Sequence, residues 1–169
     1  MRFAKLTLTT RRFPGLVATG VAVLALSACS SSSLPTLTGF AAVRDQAART
    51  ESAASDRATQ LAEVATDCAS CSAALRAVAA ASDERLEALG GLWDPWGGTP
   101  PEGASAPAAV SEAPTDVSAF VTWLARTATR DLEIAADTNR TSADEARTLS
   151  AAALGRYASA VTIAQAYGI

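Results

Sequence analysis

The chain is expected to be all-α, a four-helix bundle of two helical hairpins joined by a Pro/Gly-rich linker, after an N-terminal signal peptide. Three observations carry this expectation. Of the 169 residues, 41 are alanine, which loses least entropy on entering a helix, while β-branched and aromatic residues are few. Apolar and small side chains recur at three- and four-residue spacing through residues 38–90 and again through 115–167, the stripe of an amphipathic helix. Five of the seven prolines lie between those stretches, in residues 91–114, and break any helix there. The length suits one domain with a tail.

The N-terminal segment, residues 1–28, has its own logic. Arg2, Lys5, Arg11 and Arg12 give it positive charge without a single acid, and Leu16–Ala28 is an uncharged apolar run. That run falls short of the ~20 residues a membrane-spanning helix needs. A positive flank, a short apolar core and small residues before a cut make a secretory signal peptide. Its closing residues Leu26, Ser27, Ala28 and Cys29 resemble the lipobox of bacterial lipoproteins: an aliphatic residue, two small ones, then cysteine. The resemblance implies diacylglycerol on the Cys29 thiol and cleavage between Ala28 and Cys29. The chemistry needs a thiol, because a thiolate is accessible at neutral pH and an alkoxide is not. Two acyl chains anchor stably, whereas one, at ~0.8 kcal/mol per buried methylene, binds marginally. Thr10-Arg11-Arg12-Phe13 hints at a twin-arginine signal, but Pro14 follows at once, so the general secretion route is expected. The alanine and arginine usage, with Lys5 the single lysine, resembles that of high-GC Gram-positive bacteria.

Residues 29–37 then read as a polar tether. Loss of residues 1–28 leaves 10 basic against 17 acidic side chains, a net charge of −7. Such a domain repels nucleic acid and anionic headgroups. The expected partners are the membrane, through the N-terminal lipid, and an envelope protein, with no nucleic acid. The expected location is the extracytoplasmic face of the cell membrane.

The helical domain is expected over residues 38–169. Its first stripe runs through Phe40, Val43, Ala47, Ala54, Ala58, Leu61, Val64, Cys68, Cys71, Leu75, Val78, Leu86 and Leu89, and stops at Gly90-Gly91. Arg44, Glu51, Arg57, Glu63, Arg76, Asp83, Glu84 and Glu87 lie mostly off it. One unbroken helix of ~50 residues would be ~75 Å long, with nothing of that length to pack on. A hairpin is therefore expected, broken near Thr66-Asp67-Cys68, with Asp67 capping the second helix. After the linker or long crossover of residues 91–114, Thr115 and Asp116 open a third helix with Val117, Phe120, Val121, Leu124, Ala128 and Ala135 on its apolar face. Asp137–Thr141 is a polar turn, and Ser142-Ala-Asp-Glu145 is a capping box. In the fourth helix Leu149, Ala153, Leu154, Tyr157, Ala160, Val161, Ala164 and Tyr167 are expected inward. Gly155 costs ~1 kcal/mol there relative to alanine and marks close packing.

Chemistry-bearing residues are sparse. There is no histidine, which removes the usual general base, the usual hydrolase triad and the commonest transition-metal ligand. Cys68-Ala-Ser-Cys71 is the sharpest internal motif. Zinc would need two further ligands, which only carboxylates could supply, and no strand accompanies it to build a thioredoxin-like unit. A structural disulfide between Cys68 and Cys71 at the start of the second helix is the expected state of exported cysteines. The loop it closes is very small, so its entropic stabilisation is small. Trp93 and Trp96 flank Asp94-Pro95, and either plug the end of the bundle or serve as exposed binding anchors. Trp123, beside Arg126 and Arg130, could form a cation–π contact. Asn139-Arg-Thr141 has the form of a glycosylation sequon and carries no weight in a bacterial turn.

The four-helix pattern and alanine content resemble ferritin-like bundles of unknown function. Iron-carboxylate members use Glu-x-x-His on paired helices, and nothing here matches, since Glu84 is followed by Glu87. Glu84, Glu87, Asp144 and Glu145 read as a solvated face and a helix N-terminus. The expected function is a membrane-anchored, non-enzymatic interaction or structural domain without cofactor. The alternatives are a ferritin-like ligand- or metal-binding lipoprotein and, further off, a CxxC thiol oxidoreductase.

Overall fold

In the computed structural model, which describes residues 36–98, 112–137, 139 and 141–169, four α-helices account for the core. They are α1 (Gly39–Val64), α2 (Ala69–Ala88), α3 (Val117–Ala136) and α4 (Ala143–Tyr167), and no strand occurs among the described residues. Residues 1–35, and with them Ala28 and Cys29, lie outside the described part.

The hairpin break falls at residues 65–68. Cys68, rather than Asp67, is the N-cap of α2: its sulfur accepts from the Cys71 backbone N–H at 3.2 Å. Ser72 adds a tie by donating to the Ala62 carbonyl at 3.0 Å, which fixes the start of α2 against the end of α1. At the other end of α2, Gly90 and Gly91 take φ of 90° and 75°, a left-handed turn that costs side-chain-bearing residues 1–2 kcal/mol, roughly. Asp116 caps α3 through a 2.8 Å bond from the Ala119 N–H.

Helix α1 packs on α2 and α3 on α4, and the hairpins join chiefly through α2 and α4. Two apolar clusters fix the directions. One gathers Ala47 and Ala48 of α1, Leu89 after α2, Ala135 of α3, and Leu149 and Ala152 of α4. The other gathers Ala58 and Leu61, Leu75 and Val78, Phe120 and Leu124, and Ala160 and Ile163. The start of α1 thus lies with the end of α3 and the start of α4. The order is up, down, down, up, and the connection from α2 to α3 must travel the length of the bundle. Its described ends are both fastened to α1. The Trp93 N–H donates to Asp45 at 2.9 Å, Arg49 donates to the Trp93 carbonyl at 3.3 Å, and Arg57 donates to the Ala113 carbonyl at 2.8 Å.

The register of α4 differs from the expected one. Leu154, Tyr157 and Val161 are 58%, 50% and 40% exposed, while Ala152, Arg156, Ser159 and Ile163 face inward. Val64, at the last turn of α1, is also exposed. The buried side of α4 alternates Leu149, Arg156 and Ile163 with alanines and Ser159, and this phase leaves Leu154, Tyr157 and Val161 on the far face.

Two measurements check this arrangement. Phe120→Ala removes a fully buried ring and should cost ~3–5 kcal/mol in urea unfolding, whereas Leu154→Ala should stay within ~0.5 kcal/mol of the native chain. The second concerns the capping box of α4, in which the Ser142 N–H donates to Glu145 at 2.7 Å and the Glu145 N–H to the Ser142 hydroxyl at 3.4 Å. Hydrogen bonds from the Ser142 backbone, then from its hydroxyl, hold the Glu145 carboxyl below the usual glutamate range. A lowered folded-state pKa stabilises above the ordinary pKa, and the stabilisation is lost as pH falls through the lowered value. Glu145→Gln should therefore lower the melting temperature at neutral pH, and the difference should vanish in acid below that lowered pKa.

Candidate functional site

Between the two apolar clusters the bundle carries a polar layer to which all four helices contribute. Glu51 of α1 and Arg156 of α4 are fully buried, and Asp131 of α3 nearly so. Arg156 donates through Nε and Nη2 to Glu51 Oε1, at 3.0 and 2.8 Å, and through Nη1 to Asp131 Oδ2 at 2.8 Å. Arg85 of α2 closes the layer. Its Nε donates to Glu51 Oε2 at 3.0 Å, and its Nη2 to the hydroxyls of Ser82 at 2.9 Å and Ser159 at 3.3 Å. Two guanidinium groups meet two carboxylates, so the layer is electrically balanced.

The local sequence explains the seating of each group. Glu51 follows Ala47 and Ala48 and precedes Ala54 and Ala58 at the three- and four-residue offsets of one helix face. It therefore lies on the buried stripe, not off it. Arg156 has Ala152 and Ala153 before it and Ser159 and Ala160 after it. Gly155 makes the room Arg85 needs: a Cβ at that position would lie 2.8 Å from Arg85 Cδ. The helix accepts a glycine so that a guanidinium can cross it.

What the layer can do chemically is limited by how fully it is used. Every nitrogen of the Arg156 guanidinium donates to a carboxylate, and among the described residues no buried side-chain nitrogen or oxygen lacks a partner. No described cluster of three or more His, Cys, Asp or Glu side chains has the arrangement of a metal site. Glu51 is committed to arginines from two helices. The layer holds charge in fixed places and fixes which helices meet.

The residues singled out in the sequence are not brought together. Cys68 and Cys71 are disulfide-bonded at the α1–α2 turn, with Cα atoms 5.2 Å apart. Cys71 is buried, and its sulfur lies 3.4 Å from the Ala166 carbonyl oxygen near the end of α4. Trp93 and Trp96 are half-buried and join neither apolar cluster, and the Trp93 backbone is tied to Asp45 and Arg49 of α1. Trp123 stacks on Phe120, with ring centroids 6.0 Å apart. Grooves remain on the surface, one of ~470 Å³ along α1 lined by Arg49, Asp56, Arg57 and Leu92 among others, and one of ~390 Å³ between α2 and α4 beside Arg85 and Arg147.

Comparison with protein-family models, with curated proteins and with solved structures finds no match for this chain.

Removing one member of the layer should be far costlier than removing it whole. Arg156→Met strands Asp131 and leaves Glu51 with Arg85 alone, and should cost ~3–5 kcal/mol in urea unfolding. The triple variant Glu51→Leu, Asp131→Leu, Arg156→Met, which leaves Arg85 able to reach water, should recover most of that loss.

Proposed function

We propose that this chain is an extracytoplasmic lipoprotein, tethered through Cys29, whose helical bundle is a non-enzymatic interaction or structural module. The observation that carries the non-enzymatic part is the use of the buried layer. Its charged groups bind one another across the four helices, and lone pairs already held in charge-assisted bonds to arginine are not open to a substrate or a metal ion. Of the layer, Arg85 alone lines one of the two grooves described, and its guanidinium is already bonded to Glu51, Ser82 and Ser159. The anchoring part rests on the sequence, where the charged flank, short apolar run and Leu26-Ser-Ala-Cys29 stand in order. Two hairpins joined by one long crossover is also the connectivity of ferritin-like bundles. In that setting Arg156 occupies the mid-bundle position where such proteins gather metal-binding carboxylates, which favours a structural over a metal-binding version of the fold. The cysteine pair supports the same reading, because the Cys71 sulfur is packed against α4 and the bond joins a helix cap to its first turn.

The test is metabolic labelling with a fatty-acid analogue. The native chain should incorporate label and be shortened by 28 residues, in a globomycin-sensitive step. Cys29→Ser should take up no label and keep its full length. Globomycin-sensitive processing of Cys29→Ser would overturn the anchoring proposal.

A further inference from the structure

The groove of ~390 Å³ between α2 and α4 differs in charge from the other grooves described. Its walls are Ala88, Leu89, Ala151 and Ala152, and the only charged side chains lining it are two cations, Arg85 and Arg147. The groove along α1 sets Asp56 and Glu112 against Arg49 and Arg57. The one at the start of α3 includes Asp116, and the one beside Gly90 includes Asp144 and Glu145. In a chain with more acids than bases, an apolar concavity lined by positive charge and no carboxylate is set apart.

Arg85 is not wholly committed to the buried layer. Its Nε donates to Glu51 and its Nη2 to Ser82 and Ser159, while Nη1 has no partner among the described residues. No buried side-chain nitrogen there lacks a partner, so Nη1 is not buried. It belongs to the 15% of the side chain that is exposed, and the groove Arg85 lines is this one. Gly155 keeps the way clear, since a Cβ there would stand 3.3 Å from Nη1. The three bonds on the other nitrogens hold the guanidinium still, so a ligand meets a donor already in place. Arg147 is the movable member. It pairs with Asp144 at 2.7 Å where both are largely in solvent, and such a pairing is worth little in water.

We propose that this groove binds a small monoanionic carboxylate with a hydrocarbon body. One carboxylate oxygen accepts from Arg85 Nη1 and the other from Arg147, while the hydrocarbon lies on Leu89 and the alanines. Three features select that ligand. The volume is at the low end of the ~300–1,000 Å³ of ligand sites, so the molecule is small. Beyond the arginines the polar lining is Thr148, whose hydroxyl already donates to the Asp144 carbonyl at 3.0 Å. A peptide's amide groups would lose water there and gain no partner. Glu51 is bonded to the same guanidinium, so a dianion such as a phosphate ester meets twice the repulsion that a carboxylate does. The proposal goes beyond the module reading above, and its geometry does not depend on Cys29.

Calorimetric titration of the purified full chain tests it, with hexanoate, hexanol and hexyl phosphate as probes. Hexanoate should bind one to one, at least about tenfold more tightly than either of the others, and should weaken as salt is added. Arg147→Gln should weaken hexanoate about tenfold and leave hexanol unchanged. Ala151→Phe should abolish binding, because its ring fills the groove. Both positions are exposed, so circular dichroism should match the native chain. In nitrogen NMR of the arginine side chains, the Arg85 signal should move with hexanoate and stay still with hexanol. No heat at millimolar hexanoate, hexanol or hexyl phosphate binding as tightly as hexanoate, undiminished binding by Ala151→Phe, or an unmoved Arg85 signal would overturn the proposal. Lipid labelling reads the anchor and calorimetry reads the groove, so either can fail alone.

Discussion

Arg156 lies at the middle of α4 with no access to water, and an isolated guanidinium there would cost several kcal/mol to desolvate, roughly. The fold answers this with Glu51 from α1 and Asp131 from α3, each 2.8 Å from a guanidinium nitrogen. Glu51 in turn calls for Arg85 from α2, and Arg85 calls for Gly155. One buried charge therefore dictates the facing residues of all four helices. Relative to a well-packed apolar layer this adds little stability. Its contribution is to selection, because an alanine-rich seam offers few shape differences between one helix pairing and another. A bundle assembled in another order or register would bury the same alanines and strand the charges.

The remaining parts follow from that pairing. With α2 and α4 brought together, the two hairpins run up, down, down, up, and the chain must return along the bundle between α2 and α3. The described ends of that return are fastened to α1 by Asp45, Arg49 and Arg57. With Arg156 turned inward, Leu149, Ala152, Ala160 and Ile163 share its buried side of α4, and Leu154, Tyr157 and Val161 fall on the outside. The apolar outer face is thus a consequence of how the polar layer is seated.

Much of the fold was legible in the sequence. The proline cluster marked the connection, Ser142 and Glu145 marked the start of α4, and hydrophobic spacing gave the inner residues of α3. The hairpin break near residue 66 followed from the mismatch between one long helix and two short ones. What could not be read was part of the facing of α4: Leu149, Ala153 and Ala160 are inward as expected, but Leu154, Tyr157 and Val161 are not. Leu154 and Tyr157 look like core residues and Arg156 like a surface one, when each is taken alone. The partner that reverses this assignment is Glu51, 105 residues away in sequence, and no local pattern reports such a distance. A signal was present nonetheless. Glu51 is in phase with Ala47, Ala54 and Ala58, and Arg156 is the lone charge in a run of more than twenty residues. A single charge in phase with small apolar residues on each of two helices is the trace a buried ion pair leaves.

The balance of the layer bears on how the molecule meets changes in its surroundings. Salt screens exposed charges over ~10 Å at 0.1 M, and buried pairs far less. The Arg147–Asp144 pair stands in solvent on both sides, and ions will weaken it. The contacts of Arg156 have no solvent between them, so the pairing of the helices is set by interactions that ionic strength hardly reaches. Brine and dilute buffer should find the same bundle, differing only at its surface.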